Sequence, residues 1–129
     1  SPVEAELIKK EGNRISTFTD YEIKKSIFSG TTWAKKCDEI VKKLPKDVYI
    51  SFDIDGLLPN LCPGTGTPVP GGFEINELVY LFEKIILSGR KIIGFDLSEV
   101  AKGESEWDGN VGARVLYKLC LLTLKSQKI

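Results

Sequence analysis

Two short apolar runs separated by one amphipathic helix constrain this chain more than any other feature. Asp47 to Phe52 and Lys91 to Leu97 are rich in β-branched and aromatic residues, which suits strands buried on both faces of a parallel sheet. Between them Glu74 to Ser88 carries Ile75, Leu78, Val79, Phe82, Ile85 and Ile86 at helical spacing, with Gly89 as its stop. A strand–helix–strand connection of this length makes the strands parallel and the crossover right-handed. The residues after each strand therefore arrive at the same edge of the sheet, where open α/β sheets bind ligands. Those residues are acidic: Asp53 and Asp55 after the first strand, Asp96 and Glu99 at the end of the second. Carboxylates gathered in this way repel one another unless cations, donors or shared protons offset the charge. Because strand side chains alternate with period two, Asp53 and Asp55 are expected on one side, about 6–7 Å apart at the backbone. Two hard oxygen ligands so placed can share one or two divalent cations. An Asp after a strand also starts turns, and Asp96 and Glu99 can equally cap or solvate a loop.

The remaining elements fall into place around this unit. Ser1-Pro2-Val3-Glu4 has a capping residue, a proline at the first helical position and a glutamate three after the cap, opening a helix that Gly12-Asn13 closes. Arg14 to Thr19 reads as a short strand. Asp20 is expected to cap a second helix through Phe28, and a third runs from about Thr32 to Leu44 with Trp33, Cys37, Ile40, Val41 and Leu44 on one stripe. The last helix, Asp108 to about Lys125, opens on a capping acid. Val111, Val115, Leu119 and Leu122 form its core stripe, and Leu116, Cys120, Leu121 and Leu124 widen it into a surface suited to subunit contact.

Composition removes several function classes. The 18 Lys+Arg balance 18 Asp+Glu, so no net field favours nucleic acid or membrane lipid. No apolar run is long enough to span a bilayer and no signal-peptide pattern is present, so a soluble, cytoplasmic protein is expected. Cys37, Cys62 and Cys120 are odd in number and widely spaced, which suits reduced packing thiols rather than a disulfide framework or zinc knuckle. Histidine is absent, which excludes Ser-His-Asp and Cys-His catalysis and any imidazole ligand within these residues. The loop from Pro63 to Gly72 has Gly64-x-Gly66 without a third glycine at dinucleotide spacing, and no Gly-Lys-Ser/Thr occurs, so nucleotide binding is not expected.

Three segments taken together resemble one family. Ser51-Phe52-Asp53-Ile54-Asp55-Gly56-Leu57, then Pro63-Gly64-Thr65-Gly66-Thr67-Pro68-Val69-Pro70-Gly71-Gly72, then Asp96-Leu97-Ser98-Glu99-Val100 are similar, in this order, to the C-terminal half of the ureohydrolase superfamily of arginase, agmatinase and formimidoylglutamase. The resemblance runs from about Asp47 to Leu122. It implies a three-layer α/β/α fold around a mostly parallel sheet, and hydrolysis of a guanidino or amidino group with a pair of Mn2+ ions. It also implies roles. Asp53 resembles the carboxylate that bridges both metals and Asp55 the one that holds the second. Glu99 matches the acid that receives the substrate guanidinium, Thr67 lies at the rim and positions substrate or a metal ligand, and Asp96 orients ligands or backbone from behind. Paired cations acidify a water that attacks the planar carbon, while a carboxylate opposite a guanidinium makes two charge-assisted hydrogen bonds.

The chain departs from that family in two ways. Leu58 stands where an aspartate usually comes after the Gly-Leu pair, and the two histidines and two further aspartates of the family's upstream ligand motifs are absent. Residues 1–129 are therefore expected to be the C-terminal portion of a single larger domain. They would supply half of the binuclear site, remain inactive alone, and pair with a missing N-terminal half and with further copies in a homo-oligomer. Two rival readings stay open. A buried strand ending Asp-x-Asp-Gly also describes a haloacid-dehalogenase-type phosphatase with Asp53 as nucleophile and Asp55 as acid/base, although Leu57 replaces that family's threonine. A catalytically silent binding or scaffold protein would need only the fold.

Overall fold

The structure, a computed structural model, describes residues 1–128. The chain divides into two compact units, Ser1–Lys43 and Leu44–Ile129.

The first unit is helical: α1 (Pro2–Lys10), α2 (Asp20–Phe28) and α3 (Trp33–Lys43). Helix α1 opens on the capping box read from Ser1 and Glu4. Helix α2 differs in one detail. Its cap is Thr19, not Asp20: Thr19 is extended (φ −74°, ψ 150°) and its hydroxyl accepts the Glu22 N–H. Asp20 is already helical and places a negative charge in the first turn, where the helix dipole favours it. The strand expected over Arg14 to Thr19 does not form. Turn residues continue through Arg14, and residues 15–19 run in irregular backbone with no ladder among the described residues. Extended propensity without a partner edge forms no sheet. Ile23, Cys37 and Val41 are buried.

The second unit carries the α/β reading. Strand β1 (Asp47–Asp53) pairs in parallel with β2 (Lys91–Ser98), and α4 (Ile75–Leu87) makes the crossover. The register sets Ser51 against Asp96 and Asp53 against Ser98, with an irregularity after Val48. Helices α4 and α5 (Trp107–Ser126) contact β2 and each other. Val48, Ile50 and Phe52 are buried while Asp47, Tyr49, Ser51 and Asp53 are exposed. The expectation that this strand is buried on both faces is thus corrected: it buries one face, and the alternation is that of a half-covered sheet. Phe52 meets Phe82 of α4 edge-on, ring centroids 6.2 Å apart, and Ile92 of β2 is fully buried, each such side chain contributing roughly 1.5–3 kcal/mol.

Two polar devices fix the ends of this core. At the end of α5 the buried Ser126 accepts the Ile92 N–H at 3.0 Å, and Gln127 donates to the Ile92 carbonyl at 2.7 Å, so backbone groups beside the strand irregularity are satisfied by side chains. Beyond β1, the loop returns through Phe73. Leu58 N–H donates to the Phe73 carbonyl and Phe73 N–H to the Gly56 carbonyl, both at 3.0 Å. This bridge forces Gly72 into the left-handed region (φ +94°), where a Cβ would stand 2.6 Å from the Leu57 carbonyl oxygen. Gly72→Ala should therefore destabilise the protein by at least about 1 kcal/mol; an unchanged thermal midpoint would contradict the placement of this loop.

Candidate active site at the carboxyl edge of the sheet

The parallel register delivers both strand ends to one edge, and the acids there are held by separate contacts. Strand β1 stops at Asp53, and residues Ile54–Gly56 form a single 3-10 turn that Asp53 caps, its Oδ1 accepting the Asp55 N–H at 3.2 Å. The expected alternation therefore does not place Asp55; the turn does. From it the Asp55 carboxylate reaches the next loop, where the Thr67 hydroxyl donates to Oδ2 at 2.7 Å. Asp96 lies on β2 opposite Ser51, whose hydroxyl donates to its Oδ1 at 3.0 Å. The pKa of the Tyr49 phenol beside it is raised, first by lost hydration and then by the Asp96 charge and a hydrogen bond to it.

Glu99 comes directly after β2 and has a left-handed backbone, φ +61°, which no other non-glycine residue adopts among the described residues. Its carboxylate is exposed and lies along the glycine-rich loop: a Cβ on Gly66 would stand 3.5 Å from Glu99 Oε2. The segments after β1 and after β2 are tied together twice. Thr65 donates to the Glu99 carbonyl at 3.0 Å, and Gly64 N–H donates to Asp108 Oδ1 at 2.7 Å. The contact at Gly64 needs glycine, because a Cβ there would stand 2.8 Å from Gly103 Cα.

Asp108 is thus not the helix cap expected of it. Helix α5 already starts at Trp107, and the buried Asp108 carboxylate turns back onto the loop. Sequence reasoning missed Asp108, Thr65 and Ser51 as site-building residues. The Gly64-Thr65-Gly66-Thr67 pattern carried a signal that the loop is pressed against something; an acid ahead of an apolar helix carries none that separates a cap from a buried anchor.

Among the described residues no three His, Cys, Asp or Glu side chains are placed to hold a metal ion. Asp53 and Asp55 fit a hard divalent cation in kind, as anionic oxygen donors. They do not complete such a site in number: two carboxylates leave most coordination positions of a divalent cation unfilled, and further ligands would have to come from outside this group.

Residues 2–121 match the model of the arginase family. The chain belongs to the arginase family. It is 42% identical over 64 residues, half of this chain, to an N(1)-aminopropylagmatine ureohydrolase of Thermus thermophilus, and 39% identical over 90 residues, 70% of this chain, to an agmatinase of Proteus mirabilis. These alignments cover 22% and 28% of the two relatives. Among solved structures, an arginase of Bacillus caldovelox superposes with a TM-score of 0.74 at 25% identity, over 92% of this chain and 39% of that one. A proclavaminate amidino hydrolase of Streptomyces clavuligerus gives 0.74 at 27% identity, over 93% and 38%. The chain therefore spans less than half of these relatives' length. Membership removes the haloacid-dehalogenase alternative and its nucleophilic Asp53.

Among the described residues no disulfide forms; Cys37 and Cys62 are buried and Cys120 is exposed. Cys62 donates to the Ile54 carbonyl at 3.2 Å, beneath the acid-bearing turn. Burial pushes its thiol pKa up, and the negative charges of Asp108, Asp55 and Asp53 push the same way. The folded state thus favours the protonated thiol. That stability is fully present below the thiol's unfolded pKa and is lost as pH rises through the raised folded value. Near pH 8 a thiol reagent should label Cys120 and reach Cys62 only on unfolding; rapid labelling of Cys62 in the folded protein would contradict its position.

Proposed function

We propose that this chain is the C-terminal portion of a single ureohydrolase-like domain and supplies half of a manganese-dependent site that hydrolyses a guanidino or amidino C–N bond. What carries the proposal is the edge itself: a membership in the arginase family, with Asp53, Asp55 and Glu99 brought by parallel strands to one end of the sheet. The names of the relatives, an aminopropylagmatine ureohydrolase, an agmatinase and an amidino hydrolase, support the same reaction class.

In this reading Asp53 and Asp55 are metal ligands and Thr67 orients the Asp55 carboxylate by the bond it already makes. Paired Mn2+ ions, when bound, supply an acidified water able to attack a planar amidinium carbon. Glu99 binds the guanidinium by paired charge-assisted hydrogen bonds and so fixes the reacting carbon in place. Asp96, held by Ser51, stiffens the strand end behind the ligands. The other ligands come from a further N-terminal part, and whole subunits associate as a homo-oligomer. No helix among the described residues is long and apolar enough to cross a membrane, and a cytoplasmic location fits a small polar substrate.

In the complete protein, Asp53→Asn should remove manganese and hydrolysis together while the fold survives. Glu99→Gln should keep the metal and lower kcat/KM by about 2–4 kcal/mol of transition-state binding. Full manganese occupancy and normal turnover in Asp53→Asn would overturn the ligand assignment, and metal loss in Glu99→Gln would make that residue a ligand instead. Residues 1–129 alone should release no urea, and joining them to the N-terminal part should restore manganese-dependent release; a joined protein that binds metal but hydrolyses no guanidino compound would favour the silent scaffold.

A further inference from the structure

Thr65 is the only buried residue between Cys62 and Gly71, in a loop whose other residues from Pro63 to Pro70 are exposed. A threonine buried in such a loop must place its hydroxyl on a partner, and that partner is not local: Oγ1 donates across 34 positions to the Glu99 carbonyl at 3.0 Å. Glu99 has φ +61°, a backbone state that is unfavourable for a residue with a Cβ and persists only where the surroundings impose it. Turning the peptide after β2 out of its strand conformation changes where the Glu99 side chain leaves the chain. The bond from Thr65 falls on that same residue. The neighbours of Thr65 complete the grip. Gly64 is anchored to the buried Asp108 at 2.7 Å, so the donor is not free to drift. At Gly66 the Glu99 carboxylate lies along the loop, its Oε2 3.5 Å from where a Cβ would stand.

We propose that Thr65 is a positioning residue for Glu99: its buried hydroxyl holds the left-handed Glu99 backbone and so aims the carboxylate over the glycine-rich loop. This rests on the reading of Glu99 as the group that binds the guanidinium. Thr65 touches no substrate; it acts through Glu99 alone.

The test is a double-mutant cycle in the complete manganese-loaded protein, with Thr65→Val, Thr65→Ser and Glu99→Gln, reading kcat/KM for a guanidino substrate together with manganese content. Thr65→Val should lose on the order of 10- to 100-fold, the size of effect that slight misplacement of a catalytic group produces, with manganese content unchanged. Thr65→Ser, which keeps the donor, should stay within about 3-fold of the parent. In the Glu99→Gln background Thr65→Val should change the rate by less than about 3-fold, because the group it positions has already been disabled. If Thr65→Val does not fold, Thr65→Ala, which also removes the hydroxyl, is compared with Thr65→Ser in its place. A parent-like Thr65→Val, or a loss of the same factor in both backgrounds, overturns the positioning role. A parent-like Glu99→Gln overturns the Glu99 reading itself and this inference with it.

Discussion

The parallel pairing of β1 with β2 is the constraint on which the rest of the second unit depends. Because the strands run the same way, with Asp53 opposite Ser98, the turn after one and the loop after the other emerge side by side. A slip of one residue would turn Val48, Ile50 and Phe52 out of the core and carry Asp53 to the wrong face. The register is held from beneath by the buried strand face against α4 and α5 and by Ser126 and Gln127 on the backbone of Ile92. Core packing and site geometry are therefore not separate problems here, since the apolar alternation that buries one face of β1 also decides where its terminal carboxylate stands.

Above the strands, order is passed on by hydrogen bonds rather than by apolar burial. Asp53 caps the turn that carries Asp55, Thr67 holds Asp55, and the Gly64-Thr65 peptide segment is pinned to Asp108 and to the backbone of Glu99. Exposed carboxylates on loops would otherwise sample many positions, and each of these bonds removes some of that freedom before any ligand arrives. At Glu99 this pre-organisation carries a conformational cost, in its left-handed backbone. Residues held in such conformations cluster at functional sites, and this one stands at the acid that family resemblance links to substrate.

Much of this is legible in the sequence because it rests on periodicity. The crossover helix, both strands of the sheet and their parallel sense come from spacing that burial enforces, and the structure has them within a residue or two at Asp47–Asp53, Ile75–Leu87 and Lys91–Ser98. Where the reading fails, the deciding contact is tertiary or the local chemistry offers two equal solutions. Arg14 to Thr19 has strand-like composition but gains no ladder. Thr19 and Asp20 can both cap, and the backbone selects Thr19. Strand alternation extends to Asp55 only on paper, because the capping of Asp53 ends the strand first. Asp108 reads as the cap of its own helix, whereas its partner is Gly64, 44 positions away, and no window of local sequence contains both.

The most direct measurement is anomalous diffraction at the manganese edge from crystals of the complete protein. The proposed function predicts manganese peaks within coordination distance of the Asp53 and Asp55 carboxylates, the remaining ligands coming from outside this chain, and Glu99 left uncoordinated and facing the metals across an open space. Peaks absent from Asp53 and Asp55, or a manganese ion coordinated by Glu99, would contradict it.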